Sequence, residues 1–528
     1  MPQNFSRNQQ IGKTIASGAG GIVAAQHRIA AEAGAEVLAA GGDCMDAVVA
    51  TSFALGALEP WMSGIGGVGT MVLYRANEDR HEVIDFGGCS PGALDPADYP
   101  LAPEGVASDL FPWRRVQDDR NLRGPHAIAV PGVVAGVGEA HARYGRKPWA
   151  ELVLPAAAMA REGLLVDWFT TANIAGAAAD LRRYPDAAAD FLRDGLPPSP
   201  PWGVRTRVRL PRPRYAATLE QLARGGARSF YEGELARRIA ADVAGAGGSL
   251  REDDLAGYRV RVAPSLAIPW RDAIVHATPE LTAGPTLAQT FAQLAQWQPG
   301  GETPDAQAYA AYARALQHAY RQRLGDMGDV DGRRALGAEH LGASCTSHFN
   351  VVDARGNMAA VTQTLLSTFG SRFVTPQTGI LMNNGIMWFD PEPGRANSLG
   401  ASRRCLANYT PVVADLGDGR RMALGASGGR RILPSVAQIL SFAIDYRMDL
   451  QAAFDCPRID ASEGEVLIGD TRLAQAVHAA LAADFDYEQA TPQTMPLKFA
   501  CPSAVMRIRG TNQGATEAVQ PWADAVVA

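Results

Sequence analysis

Thr346-Ser347-His348-Phe349-Asn350-Val351-Val352-Asp353, followed after a short turn by Thr362-Gln363-Thr364, is the stretch whose reading decides the fold. His348 to Asp353 and Asn357 to Thr364 are β-branched and alternating, and Ala354-Arg355-Gly356 between them is a turn, so the spacing predicts a hairpin. A threonine hydroxyl is a poor nucleophile at neutral pH and attacks only where a neighbour accepts its proton. The simplest such base is the threonine's own α-amine, which titrates at about 7.7–8.0, whereas an amide nitrogen within a chain has no basicity. If Thr346 carries chemistry, the chain must be cut before it.

Residues 325–345 fit such a cut: Gly-rich, charged and poor in large apolar groups, they have the composition of a flexible tail. Gly425-Ala426-Ser427-Gly428-Gly429 lies between an expected strand, Arg421 to Leu424, and an expected helix, Ile432 to Tyr446. Glycines there let backbone N–H groups approach a developing oxyanion, and the helix N-terminus adds a favourable dipole.

The TSHFNVVD run, the later GASGGRR, and an N-terminal part running from Gly21-Ile22-Val23-Ala24-Ala25 to Gly64-Ile65-Gly66-Gly67 together resemble the γ-glutamyltransferase family of N-terminal-nucleophile hydrolases. The resemblance implies an α+β fold, an αββα sandwich. It implies a precursor that cleaves itself between Cys345 and Thr346 into a large subunit, 1–345, and a small subunit, 346–528, that stay together. Thr346 would be nucleophile and base, Thr364 would hold its hydroxyl, and Gly428 and Gly429 would form the oxyanion hole. Thr362, on the same strand face as Thr364, serves equally as a β-former.

The same comparison implies an altered substrate pocket. Where relatives acting on glutathione carry an arginine after the second large-subunit strand, this chain reads Phe86-Gly87-Gly88. Leu366 replaces an asparagine, Gly385 and Trp388 replace a glutamine and an aspartate after Asn383-Asn384, and Ala407 and Asn408 replace paired serines. A zwitterionic head group would lose several charge-assisted bonds of about 1.5–3 kcal/mol each. The expected substrate is therefore a small-molecule amide with a more apolar or differently charged acyl group, as in the cephalosporin acylase relatives. Arg372, Arg403 and Arg404 are candidates for a relocated carboxylate anchor.

A rival reading takes GASGG literally as GxSxG, with Ser427 as nucleophile and Asp445 and His478 as partners in an intact serine hydrolase. A third keeps the fold as an uncleaved, non-catalytic scaffold. Gly64-Ile65-Gly66-Gly67-Val68-Gly69 satisfies GxGxxG but follows a helix and precedes a strand, the reverse of a dinucleotide fingerprint. Of nine histidines only His348 lies in a motif, with a structural role expected.

Bulk properties narrow the classes. The chain has 528 residues, 47% apolar and 20% charged, with a formal net charge of −6, as in an ordinary globular enzyme without basic blocks for nucleic acid. Its six cysteines show no CxxC spacing, which speaks against a zinc framework or disulfides and for a reducing compartment. Met1 to Gly12 is polar, so no secretory signal is read and a cytoplasmic address is expected. The apolar run Ala47 to Met62 is interrupted by Glu59-Pro60 and is too short for a membrane span. No cofactor or metal is expected; assembly of two-subunit units into a higher oligomer is left open.

Further elements follow from periodicity. Gly21 to Ala25 reads as a strand; His27 to Ala40 and Met45 to about Leu58 read as helices; Thr70 to Tyr74 and Glu82 to Phe86 read as paired strands. Leu152 to Ala177 and Leu219 to Ala244 have helical spacing, and Leu196 to Pro213 between them reads as an exposed connection.

Overall fold

A computed structural model describes residues 11–107, 111–203, 205–329, 344–463, 466–495 and 497–528. Two seven-stranded antiparallel sheets lie face to face. In the first, the order is Asp524–Val527, Ile22–Ala25, Ser344–Val352, Met358–Ser367, Val68–Arg75, Arg80–Phe86, Arg261–Pro264. In the second it is Ala16–Gly18, Thr511–Thr516, Cys501–Ile508, Arg420–Ser427, Val412–Asp415, Ala273–Ala277, Leu266–Trp270. Side chains including Ile22, Val72, Val352, Ala360, Val413, Ala423 and Val505 fill the space between them.

Each sheet buries its other face under helices, which completes the αββα sandwich. Cys44–Leu58 lies against the first sheet and between other helices, so it is buried almost all round and its apolar residues occupy every face. It is anchored by a capping box at Asp43 and Asp46, and Asp43 also pairs with Arg75 at 2.7 Å. Gly284–Leu294, Ala306–Asp326 and Ile432–Asp445 cover the second sheet.

The hairpin lies where its pattern places it, as Ser344–Val352 and Met358–Ser367 at the centre of the first sheet. Gly356 turns it at φ +89°, a conformation open to glycine. The helical stretch from Leu152 is two helices, Trp149–Glu162 and Trp168–Leu181, because Gly163 at φ +95° ends the first. The stretch from Leu219 breaks likewise at Gly226 and Gly233, into Pro213–Gly225 and Glu234–Gly245 with a short turn between. The connection from Leu196 is not exposed throughout: Arg209–Leu210 pairs with Leu164–Leu165, and Leu210 and Arg212 are buried. Of the expected tail, Gly325 and Asp326 close the helix Ala306–Asp326 and Ser344 and Cys345 open the strand; 330–343 lie outside the described residues. Among the described residues no helix is long and apolar enough to cross a membrane.

Candidate active site

Pairing of the two hairpin strands is regular from Val352↔Met358 back to Ser347↔Gln363, then resumes at Cys345↔Leu366. One residue, Thr346, stands opposite two, Thr364 and Leu365. The irregularity takes Thr346 out of the ladder and sets its Oγ1 3.3 Å from Thr364 Oγ1. Both hydroxyls meet the carbonyl oxygen of Cys345, Thr346 at 2.6 Å and Thr364 at 2.5 Å. Thr364 Oγ1 also accepts from the Leu366 N–H at 2.8 Å, and Leu366 reaches that position at φ +84°, a strained conformation for a branched residue. The peptide bond before Thr346 is thus held by two hydroxyls within a buried strand end.

Gly64 to Gly69 explain how the neighbouring strand comes this close. A Cβ on Gly67 would lie 2.5 Å from the Thr364 carbonyl oxygen, and one on Gly69 2.2 Å from that of Thr362. The GxGxxG pattern therefore serves close packing against the threonine strand.

Thr362 faces a different partner. His348 is buried, which pushes its imidazole down to about 3 and keeps it neutral. Asn350 donates through Nδ2 to Ser503, so its Oδ1 accepts from His348 Nε2 at 3.1 Å, and His348 Nδ1 accepts from the Thr362 hydroxyl at 2.9 Å. The ring also lies against Gly425, where a Cβ would come within 2.3 Å. His348 is a structural strut between the sheets, as its position in the motif suggests.

Gly428 and Gly429 follow the strand Arg420–Ser427 at φ +131° and +61° and enter the helix Ile432–Asp445 through a short 3-10 turn that packs against the Thr346 strand. Ser427 is buried, with Gln26 Nε2 donating to its hydroxyl. Its supposed partners are engaged elsewhere: Asp445 with Arg271 at 2.9 Å and with Trp270, His478 with Tyr487 at 2.6 Å. The structure does not assemble a serine triad around GASGG.

The substituted pocket positions do come together. Leu366, Trp388 and Ala407 are members of one buried apolar cluster with Val68, Trp113, Ala129 and Tyr409. Gly385 packs on Ala129, where a Cβ would lie 2.5 Å from that methyl, and Gly88, next to Gly87, lies against Cys405, Ala129 and Val68. Leu366 links this cluster to Thr364. In or beside it, Trp388 Nε1, Asn408 Nδ2 and Tyr409 Oη are buried without a hydrogen-bond partner among the described residues, and the Trp388 and Tyr409 rings are 5.3 Å apart. Three buried polar groups able to donate, in or beside one apolar cluster, carry a desolvation penalty that an acceptor would relieve.

Of the arginines named as anchors, Arg372 meets Asp180 at 3.6 Å, Arg404 meets Asp85 at 2.8 Å, and Arg403 donates to the Ser398 carbonyl. Sequence reading did not single out Arg323. It is fully buried, its guanidinium lowered to about 10 by desolvation, and it donates to the Thr282 and Ala407 carbonyls, Thr286 and Asn408 Oδ1, all uncharged.

Glu59 was missed as well. On the helix side of the sheet, Ser52 donates to Gln363 Oε1, Gln363 Nε2 to Ser63, Ser63 to Ser347, and Ser347 to Glu59 Oε2 at 3.1 Å. Burial raises the Glu59 carboxyl to about 8, so it is protonated at neutral pH, and its Oε1 has no hydrogen-bond partner among the described residues. The signal was present: a carboxylate inside the apolar run Ala47 to Met62.

The family model described as gamma-glutamyltranspeptidase matches residues 30–341 and 333–526. The chain is 35% identical over 504 residues to an acylase ACY 1 proenzyme of Pseudomonas sp. (strain V22), covering 89% of this chain and 88% of that one. It is 28% identical over 495 residues to a glutathione hydrolase proenzyme of Bacillus subtilis (strain 168), covering 85% and 81%. A crystal structure of cephalosporin acylase from Bacillus halodurans superposes with TM-score 0.84 at 22% identity, over 100% of this chain and 99% of that one, which shows a shared fold.

Proposed function

The chain belongs to the gamma-glutamyltranspeptidase family, and from that premise we propose that it is a self-processing N-terminal-nucleophile acylase that cuts itself between Cys345 and Thr346 and then uses Thr346 on a small amide. The observation that carries this reading is the pair of hydroxyls on the Cys345 carbonyl oxygen. In maturation Thr346 Oγ1 attacks that carbonyl carbon while Thr364 donates to the oxygen, where negative charge develops. The C–N bond breaks as the hydroxyl proton passes to the departing nitrogen, leaving an ester. Water cleaves the ester, giving the Cys345 carboxylate and a free Thr346 amine and hydroxyl.

In catalysis the amine takes the Thr346 hydroxyl proton as Oγ1 attacks the substrate amide, and Gly428 and Gly429 N–H groups hold the oxyanion. The leaving amine departs with the proton, and water or another amine takes the acyl group. Relatives bear both acylase and glutathione hydrolase names. The pocket favours an acylase with an altered acyl group: apolar walls at Leu366, Trp388 and Ala407 suit a hydrocarbon stem, and Trp388, Asn408 and Tyr409 suit an acceptor at its end. Arg323, held beside Asn408, adds positive charge for an anionic end.

Denaturing electrophoresis with N-terminal sequencing of the purified protein tests the cut. Fragments of 345 residues and 528 less 345, or 183, the smaller beginning TSHFN, are expected; an active intact chain would refute the scheme. A panel of γ-glutamyl, glutaryl and simple alkanoyl anilides tests the pocket. Glutathione turnover exceeding that of the glutaryl substrate would return the protein to ordinary γ-glutamyl chemistry.

A further inference from the structure

Thr364 pairs with Val68 and Met358 with Tyr74, so six residues of strand, about 20 Å at 3.3–3.4 Å each, separate the threonine pair from the far end of the sandwich. His81, opposite Tyr74, lies at that far end. There it meets His276 and Asp415, which come from adjacent strands of the other sheet. One donor atom from each of the three lies within 4.8 Å of the other two.

His276 and Asp415 each have one side held and one side open. His81 is largely buried, and its Nε2 has no hydrogen-bond partner among the described residues; it faces Asp415 Oδ2 at 3.9 Å. His276 Nδ1 lies 2.9 Å from Ser265 Oγ, which leaves Nε2 as its open nitrogen. The other oxygen of Asp415 is held by Arg421 Nε. The two imidazoles stack with centroids 3.5 Å apart and planes within 2°. A hydroxyl beside one imidazole and a guanidinium on the carboxylate are the usual kind of outer support for a metal-binding set.

We propose that His81, His276 and Asp415 form a divalent metal site that takes Zn2+, with water as fourth ligand, and ties the two sheets together at the end remote from Thr346. Two imidazole nitrogens and one carboxylate oxygen are the donor set of zinc and of cobalt or nickel, and without a thiolate the site does not select softer ions. With bonds of about 2.0–2.2 Å, ligand atoms on a tetrahedral ion stand roughly 3.4 Å apart. The separation of up to 4.8 Å therefore closes by up to about 1.4 Å, and one ring turns out of the stack so that both lone pairs converge. All three residues are partly exposed, which gives water access to the fourth position. The ligands come from residues 81, 276 and 415, so binding holds the folded state specifically and raises Tm.

Chelator-treated protein titrated with ZnCl2 by calorimetry should bind one Zn2+ per chain and gain thermal stability, and Co2+ should give the visible spectrum of tetrahedral N and O coordination. His276→Gln should lower Zn2+ affinity at least 100-fold and abolish the Tm gain, and Ser265→Ala, at a partly exposed position that leaves the three ligands in place, should lower it about 10–100-fold. Absence of stoichiometric Zn2+ binding, or parental affinity in His276→Gln, would overturn the proposal. Thr346-dependent amide hydrolysis in His276→Gln keeps this test separate from the acylase reading.

Discussion

The threonine pair and the proposed acyl pocket are joined through Leu366, yet their polar groups are in opposite states. At the strand end the hydroxyls of Thr346 and Thr364 are satisfied, both on the Cys345 carbonyl oxygen. In the proposed pocket Trp388 Nε1, Asn408 Nδ2 and Tyr409 Oη are buried without hydrogen-bond partners among the described residues. An unmet buried polar group costs about 1–3 kcal/mol, so the pocket is tolerable as a place that awaits an acceptor. On the proposed reading the difference separates two jobs of one site: the strand end holds the first substrate, the chain's own peptide bond, and the apolar cluster receives the second.

The sharpest way to break this contrast is Thr346→Ala. Without Oγ1 there is no attack on Cys345 and no later acyl-enzyme, so a single full-length band and complete loss of amide hydrolysis are expected; a cleaved variant would show that the carbonyl arrangement is incidental. Thr364→Ala comes next. It removes one donor to the developing oxyanion, and loss of such a donor typically slows a reaction about 10²–10³-fold. Pulse-chase electrophoresis should show processing slowed by that order, and Thr364→Ser should restore most of the rate.

The strand end was legible because its information is local. Alternating β-branched residues and the turn at Ala354-Arg355-Gly356 predict the hairpin within about twenty residues, and the family resemblance supplies the place of Thr364 beside Thr346. The bulge at Thr346 was not legible, since it depends on Leu366 at positive φ. Helix ends at Gly163, Gly226 and Gly233 were missed because the alanine and leucine periodicity runs on past glycines whose backbone reverses. The pocket was legible as a set of replacements only. Its unpartnered polar groups and the buried Arg323 arise from packing among Val68, Trp113, Trp388, Ala407 and Tyr409, which no local pattern encodes. The cluster of His81, His276 and Asp415 is the extreme case, with ligands from three strands of two sheets.

Tyr409→Phe sharpens the pocket side of the comparison. It deletes one hydroxyl and little volume, so a hydrocarbon acyl anilide should keep its kcat/KM, and an acyl group ending in an acceptor should lose roughly 3- to 10-fold, the worth of one net hydrogen bond. An equal loss for both substrates would place the effect in packing and remove the assigned role.

The smallest effect belongs to the helix side of the strand, where Ser347 ends a chain of donors on Glu59. The Glu59 carboxyl titrates near 4.5 when unfolded and is raised to about 8 by burial when folded. Between those values the unfolded chain binds fewer protons than the folded one, so this group makes stability fall as pH rises from about 4.5 through about 8, with no change from it below or above. Glu59→Gln keeps the shape and the acceptor for Ser347 but cannot ionise. Its Tm should therefore fall less than that of the parent between pH 5 and 8 by about a few degrees, read by calorimetry in the uncleaved Thr346→Ala chain. Parallel pH profiles would mean that Glu59 is already ionised in the folded protein, and the buried side of the threonine strand would then carry a charge that its hydroxyl partners must stabilise.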